Sequence, residues 1–294
     1  MTTGCGTPGV IGFRLAELEL WLDGADSRVP LTLPPCHAPF RLEGRPRGGL
    51  SLRVRDGAPR STAGWHALFR GAESWQLWRD DAGRRVFVPS AHSPPARQVA
   101  VDASFRWGEV LGQFNAGGAN GRAVYPLQDI DMVLVVNMLA ETGDLLLHAA
   151  GVDDRGAGYA FVGPSGAGKS TVAGELADRH SAMVLGEDQV ILRRRGSQFL
   201  IYGTPWHTSP ARCSPGGVPL EKLFILDRAG GHNVAPFGRR HGVERLLQNA
   251  LVPYYHHAGV ERILDTVARL AEQVPFYTLG FRVGADVMSL VRGA

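Results

Sequence analysis

An α/β domain preceded by a β-rich N-terminal module is the fold the sequence predicts, on two observations. Residues 10–104 alternate apolar and polar side chains in short runs divided by turn-formers, whereas the stretch from 126 onward combines helical apolar faces with short aliphatic runs. Between them lies Asn115-Ala116-Gly117-Gly118-Ala119-Asn120-Gly121, rich in residues that tolerate positive φ, so the module is read as 1–120 and the α/β domain as 121–294.

In the module, Phe40–Glu43, Leu50–Arg55, Trp75–Trp78 and Arg85–Val88 read as strands, punctuated by Asp56-Gly57, Asp81-Ala82-Gly83 and Pro94-Pro95. Trp21, Trp65, Trp75 and Trp78 suit packing on a sheet face, because no cation-lined groove pattern accompanies them. Beyond the linker, Pro126 opens a helical face of Leu127, Ile130, Val133, Leu134 and Met138, which Gly143 closes. Leu145–Ala150 and Tyr159–Val162 then read as two aliphatic strands about a solvated turn at Asp153-Asp154-Arg155-Gly156. Val184–Leu192 is a further apolar strand and Arg193–Ser197 a solvated hairpin tip, with a basic substrate patch as its functional alternative. Val260–Val274 is an amphipathic helix, followed by a strand at Phe276–Leu279 and a short final helix.

Composition removes several classes. The longest aliphatic run, Met132–Val136, is far short of the ~18 residues a membrane span needs. The first residues lack the basic start and apolar core of a secretory signal, and Cys5, Cys36 and Cys213 are too scattered for a disulfide framework or a metal site. A cytoplasmic protein with reduced thiols and no membrane partner is expected. A net charge of +3 with dispersed arginines gives no nucleic-acid footprint. Of 31 basic residues only Lys169 and Lys222 are lysines, a skew expected of a GC-rich genome.

Lys169 falls within Gly163-Pro164-Ser165-Gly166-Ala167-Gly168-Lys169-Ser170-Thr171, which fits GxxxxGK[ST] between an apolar strand and a helix. The glycines let successive N–H groups curl around a phosphate, the helix N-terminus adds donors, Lys169 reaches β- and γ-oxygens, and the Ser170 hydroxyl suits Mg²⁺. The acids Glu187 and Asp188 sit where a Walker-B-type carboxylate would hold the metal or its water. In a regular strand only one of the two would face the phosphates. His148, fifteen residues before Gly163, ends the strand expected to neighbour the loop strand. Tyr202–Cys213, with Trp206, His207, Thr208 and Arg212, is either a wall of the substrate site or a packed loop. Phe237–His241 reads as a basic helix start, and Tyr254–His257 lacks the acids or thiols of a metal site.

Leu147–Val152, Gly163–Thr171 and Gly186–Val190 together resemble the catalytic domain of HPr kinase/phosphorylase, a P-loop serine kinase of the phosphoenolpyruvate carboxykinase superfamily. The resemblance implies that Lys169 and Ser170 serve ATP and Mg²⁺, that Asp188 is the general base toward a serine hydroxyl, and that His148 matches the family's active-site histidine. It also implies a homo-oligomer. The chain departs from the pattern in carrying Glu187 for the first aspartate, in one extra residue before that strand, and in lacking a Glu-x-Arg-Gly-x-Gly signature, which weighs against phosphorolysis. It resembles the divergent members found beside peptide-modifying clusters.

The expected activity is therefore ATP- and Mg²⁺-dependent transfer of a phosphoryl group to a serine of a peptide or protein. The expected catalytic residues are His148, Lys169 and Asp188, and the expected metal donors are Ser170, Glu187 and Asp188. A small-molecule kinase and a nucleotide-gated binding protein are the alternatives. A compact ammonium, and not a planar guanidinium, suits the phosphate pocket. Lys169→Arg is accordingly expected to impair transfer although charge is kept, as a phosphoryl-transfer assay would read.

Overall fold

The computed structural model describes residues 9–25, 30–44, 46–71, 75–89, 96–114, 123–206, 212–227 and 231–294. The linker Asn115–Gly121 and the boundary drawn at 120/121, the Pro94-Pro95 turn, Cys5, and His207 with Thr208 lie outside the described residues. The chain divides into two compact units, Met1–Val135 and Val136–Ala294.

The first unit is a nine-stranded sheet formed by β1 (Val10–Leu15), β2 (Leu18–Asp23), β3 (Arg41–Leu42), β4 (Leu50–Asp56), β5 (His66–Arg70), β6 (Trp75–Arg79), β7 (Arg85–Pro89), β8 (Arg97–Val101) and β9 (Trp107–Gly112), with a 3₁₀ turn at Pro35–Phe40. Its order is β3-β1-β2-β4-β9-β8-β7-β6-β5, antiparallel except where β4 pairs in parallel with β2 and β9. The expected alternation holds on β4, whose Leu50, Leu52 and Val54 are buried. Trp21 and Trp78 are buried, and Trp65 packs on the cluster of Trp78, Val86 and Ala100, so these rings serve the sheet face. A buried polar network ties the 3₁₀ turn down: His37 Nε2 lies 3.0 Å from Asp131 Oδ2, which also accepts from Tyr125 Oη at 3.0 Å.

Helix α1 spans Asp131–Thr142, five residues later than Pro126 suggested, because Pro126–Ile130 forms turns in which Asp129 takes φ 64°. The second unit continues with β10 (Leu145–Leu147), β11 (Ala149–Asp154), β12 (Ala157–Val162), α2 (Lys169–His180), β13 (Met183–Gly186), β14 (Val190–Arg195), β15 (Gln198–Gly203), β16 (Gly217–Leu226), β17 (Asn233–Pro236), α3 (Arg239–Gln248), β18 (Ala250–Leu251), α4 (His257–Gln273), β19 (Phe276–Gly280) and α5 (Val287–Gly293).

These strands form a mixed sheet: β12 pairs antiparallel with β11 and parallel with β16. β16 belongs to three ladders. Its first residues pair antiparallel with β15, and its remainder runs parallel between β12 and β19. Both faces of the central strands are buried, which explains their aliphatic runs. Ala160, Val162, Leu223 and Ile225 point toward α3 and α4, whose Leu246, Ile263, Val267 and Leu270 complete one core. Tyr159, Phe161 and Phe224 point the other way, against Val172 and Leu176 of α2 and Val287 and Val291 of α5. Phe161 and Phe224 stack there at 5.4 Å.

Two expected strands are each broken in two. Leu145–Ala150 splits at His148, so that β10 joins β14 while β11 joins β12 and β13. Val184–Leu192 splits at Glu187–Gln189 into β13 and β14. The β11–β12 turn is tighter than expected, with only Arg155 and Gly156 between paired residues, both at positive φ. Asp154 is therefore buried inside β11, not solvated. The two Arg292 nitrogens at 2.8 and 2.9 Å hold its carboxyl below the usual carboxylate range. Lys222, which has no evident context in the sequence, donates at 3.0 Å to both Val291 O and Arg292 O and so caps α5.

Arg193 corrects the reading of the hairpin tip as solvated or substrate-binding. It is buried and donates through Nε to Asp144 Oδ2 at 2.6 Å, while Asp144 Oδ1 accepts from the Arg194 amide. Removing one partner of a buried pair leaves the other charge uncompensated. Arg193→Ala is expected to destabilise the chain by about 3–5 kcal/mol in urea denaturation, with Arg193→Met/Asp144→Leu recovering most of the loss.

Candidate functional site

The loop from β12 to α2 closes on itself. Ala167 N donates to Pro164 O at 3.1 Å, Gly166 and Gly168 take φ 76° and 102°, and α2 begins at Lys169. A side chain at either glycine would strain this left-handed backbone. Lys169 is buried, and its Nζ donates to Gly163 O at 2.8 Å and to Pro164 O at 3.1 Å, drawing the ammonium across the loop mouth. Burial pushes the Lys169 ammonium below the ordinary lysine range, and the negative charge of Asp188 works in the opposite sense. Pro164, Ser165, Gly166, Ser170 and Thr171 are exposed, so the loop tip and the first turn of α2 are open to a ligand.

Sheet register brings the other expected residues to the same end. Ala149 lies opposite Val162, which places His148 beside Gly163, and Gly151 lies opposite Gly186, which returns Glu187 and Asp188 toward His148. His148 Nδ1 lies 3.3 Å from Asp188 Oδ1, each side chain about a third exposed, and the His148 amide donates to Asn249 O at 2.7 Å. Because β13 stops at Gly186, strand alternation does not decide between the two acids. Asp188 meets His148 by its carboxylate, and Glu187 meets Ser170 Oγ by its backbone carbonyl at 3.4 Å.

The acid-bearing bend is fixed from beneath. A Cβ at Gly186 would stand 2.5 Å from Gln189 O, and one at Gly203 would stand 2.0 Å from Leu185 O. Buried Thr204 donates through Oγ1 to Gln189 O at 2.8 Å, and Ser214 N donates to Leu185 O at 3.1 Å. The described part of Tyr202–Cys213 thus holds the bend in place. Among the described residues no three His, Cys, Asp or Glu side chains converge as a metal site, Tyr254–His257 included. The Ser170 hydroxyl with one acid of the adjacent Glu187-Asp188 bend nevertheless fits Mg²⁺, which takes one or two protein ligands and completes its shell with phosphate and water oxygens.

Sequence reasoning missed Asp227. It follows the apolar run Leu223–Leu226 at the end of β16, the parallel neighbour of the loop strand, and that four-plus-one pattern was the available signal. Asp227 lines two cavities flanking the loop. One of about 380 Å³ is walled by Gly163, Pro164, Phe237, Arg245 and Asn249, and the other, of about 200 Å³, by Gly168, Thr171, Phe281 and Val283.

A family model described as SynChlorMet cassette protein ScmC matches residues 126–288. No curated protein matches the chain. Among solved structures, the chain is similar to the Hpr(Ser) kinase/phosphatase from Coxiella burnetii at 12% identity, over 50% of this chain and 94% of that one, with a TM-score of 0.29.

The depressed Lys169 pKa has a stability consequence. Its charged form is disfavoured on folding, a cost present below the folded pKa and relieved as pH rises through it. Lys169→Met is expected to raise the thermal midpoint at pH 7, with the gain over wild type narrowing toward pH 10. An unchanged or lowered midpoint at pH 7 would contradict this.

Proposed function

The chain belongs to the SynChlorMet cassette protein ScmC family, and on that premise we propose that it is an ATP- and Mg²⁺-dependent kinase acting on a serine hydroxyl of a peptide from the same cassette. The observation that carries the proposal is the His148–Asp188 contact of 3.3 Å at the mouth of a closed GxxxxGKS loop. A protein that only bound nucleotide would need Lys169 and the loop amides but would have little use for a carboxylate oriented by a histidine. The motif resemblance to HPr kinase supports the same assignment of roles.

In this reading the loop amides and Lys169 would hold the phosphates, and the Ser170 hydroxyl, with Glu187 beside it, would hold the metal. Mg²⁺, when bound, neutralises charge on the phosphates. Asp188 accepts the serine proton as the hydroxyl oxygen bonds to the γ-phosphorus and the bond to the ADP oxygen breaks. His148 keeps the carboxylate aimed at the hydroxyl. Positioning and charge neutralisation are most of what such a transfer requires. The cavity of about 380 Å³ beside Gly163 and Pro164 favours a second reading, a small-molecule hydroxyl acceptor.

The test is the purified chain with Mg²⁺, γ-labelled ATP and peptides encoded beside its gene. Asp188→Asn is expected to lower kcat by at least about 10²-fold with ATP affinity kept. Lys169→Ala is expected to weaken ATP binding by roughly tenfold or more. Label on a metabolite and none on peptide would favour the second reading, and variants as active as wild type would remove both.

A further inference from the structure

The smaller cavity beside the loop has an aromatic ring in its wall and the first turn of a helix at its floor. Its floor is the first turn of α2, with Gly168 and Thr171, and its wall is the segment Phe281–Gly284 that follows β19. Phe281 lies against the loop so closely that a Cβ on Gly168 would come within 3.2 Å of its ring. Val283, at the rim of the cavity, is 69% exposed.

The wall is also tethered. Gly284 N donates to Glu175 Oε2 at 3.1 Å, and Arg179 Nη1 donates to Gly284 O at 2.8 Å, so α2 carries both the phosphate loop and the anchor of the Phe281–Gly284 segment. An internal turn, Ala285 N to Arg282 O at 3.1 Å, stiffens it. The separation between the phosphate loop and the apolar wall is therefore set by one helix.

Resting on the kinase reading, we propose that this cavity of about 200 Å³ receives the nucleobase of the bound nucleotide, held between Phe281 and Val283. Among the described residues, the polar side chains lining it are Thr171 and Asp227. The site consequently selects a planar heteroaromatic ring and distinguishes poorly among bases, as stacking platforms do.

Calorimetric titration with ADP and with pyrophosphate separates the base from the phosphates. Phe281→Ala and the surface variant Val283→Asp are each expected to weaken ADP by roughly tenfold while pyrophosphate affinity stays at the wild-type value. GDP and CDP are expected within roughly tenfold of ADP. Unchanged ADP affinity in Val283→Asp, or equal losses for ADP and pyrophosphate, would overturn the base site while leaving the phosphate loop intact. Wild-type protein that binds neither probe would instead remove the kinase reading, and the base site with it.

Discussion

The antiparallel register of β11 against β12 is the constraint on which the site depends. With Ala149 opposite Val162, the residue preceding β11 must stand beside the residue following β12, and those residues are His148 and Gly163. A slip of one position would turn every side chain of β11 to the opposite core and carry the histidine away from the loop. The register is locked by the two-residue turn at Arg155-Gly156 and by the burial of Asp154 against Arg292. The turn furthest from the chemistry therefore sets the geometry of the chemistry.

The loop string, the histidine, the acid pair and the amphipathic C-terminal helix were legible because each is a local pattern with a local cause. What was not legible depended on partners distant in sequence. Leu145–Ala150 and Val184–Leu192 each satisfy the pattern of a single strand, and nothing within them announces that His148 and Glu187–Gln189 leave one ladder for another. The second break rests on Gly186, Thr204 and Ser214, which converge only in the folded sheet. The solvated readings of Asp154 and Arg193 failed for the same reason, since Arg292 and Asp144 lie far along the chain. In the other unit the alternating strands were readable one by one, whereas their order in the nine-stranded sheet, with parallel pairs around β4, was not.

The two lysines gain a common meaning. Each brings an ammonium onto a pair of adjacent backbone carbonyls, Gly163 and Pro164 for Lys169, Val291 and Arg292 for Lys222. A compact tetrahedral donor reaches two converging carbonyls from one point, while a planar guanidinium spreads its donors across a fork. In a chain with 29 arginines, lysine survives at the two places where donation must be concentrated. At Lys169 that demand coincides with burial, which disfavours the charged form of the ammonium.

β16 makes the two halves of the sheet inseparable. Because one strand closes the ladder with β15 at its start and those with β12 and β19 along its remainder, neither half of the sheet can be detached without severing the other's hydrogen bonds. The phosphate loop and the hairpin that braces its acids therefore belong to one hydrogen-bonded unit, and the places where the chain would tolerate an insertion are exposed turns such as Gly196-Ser197.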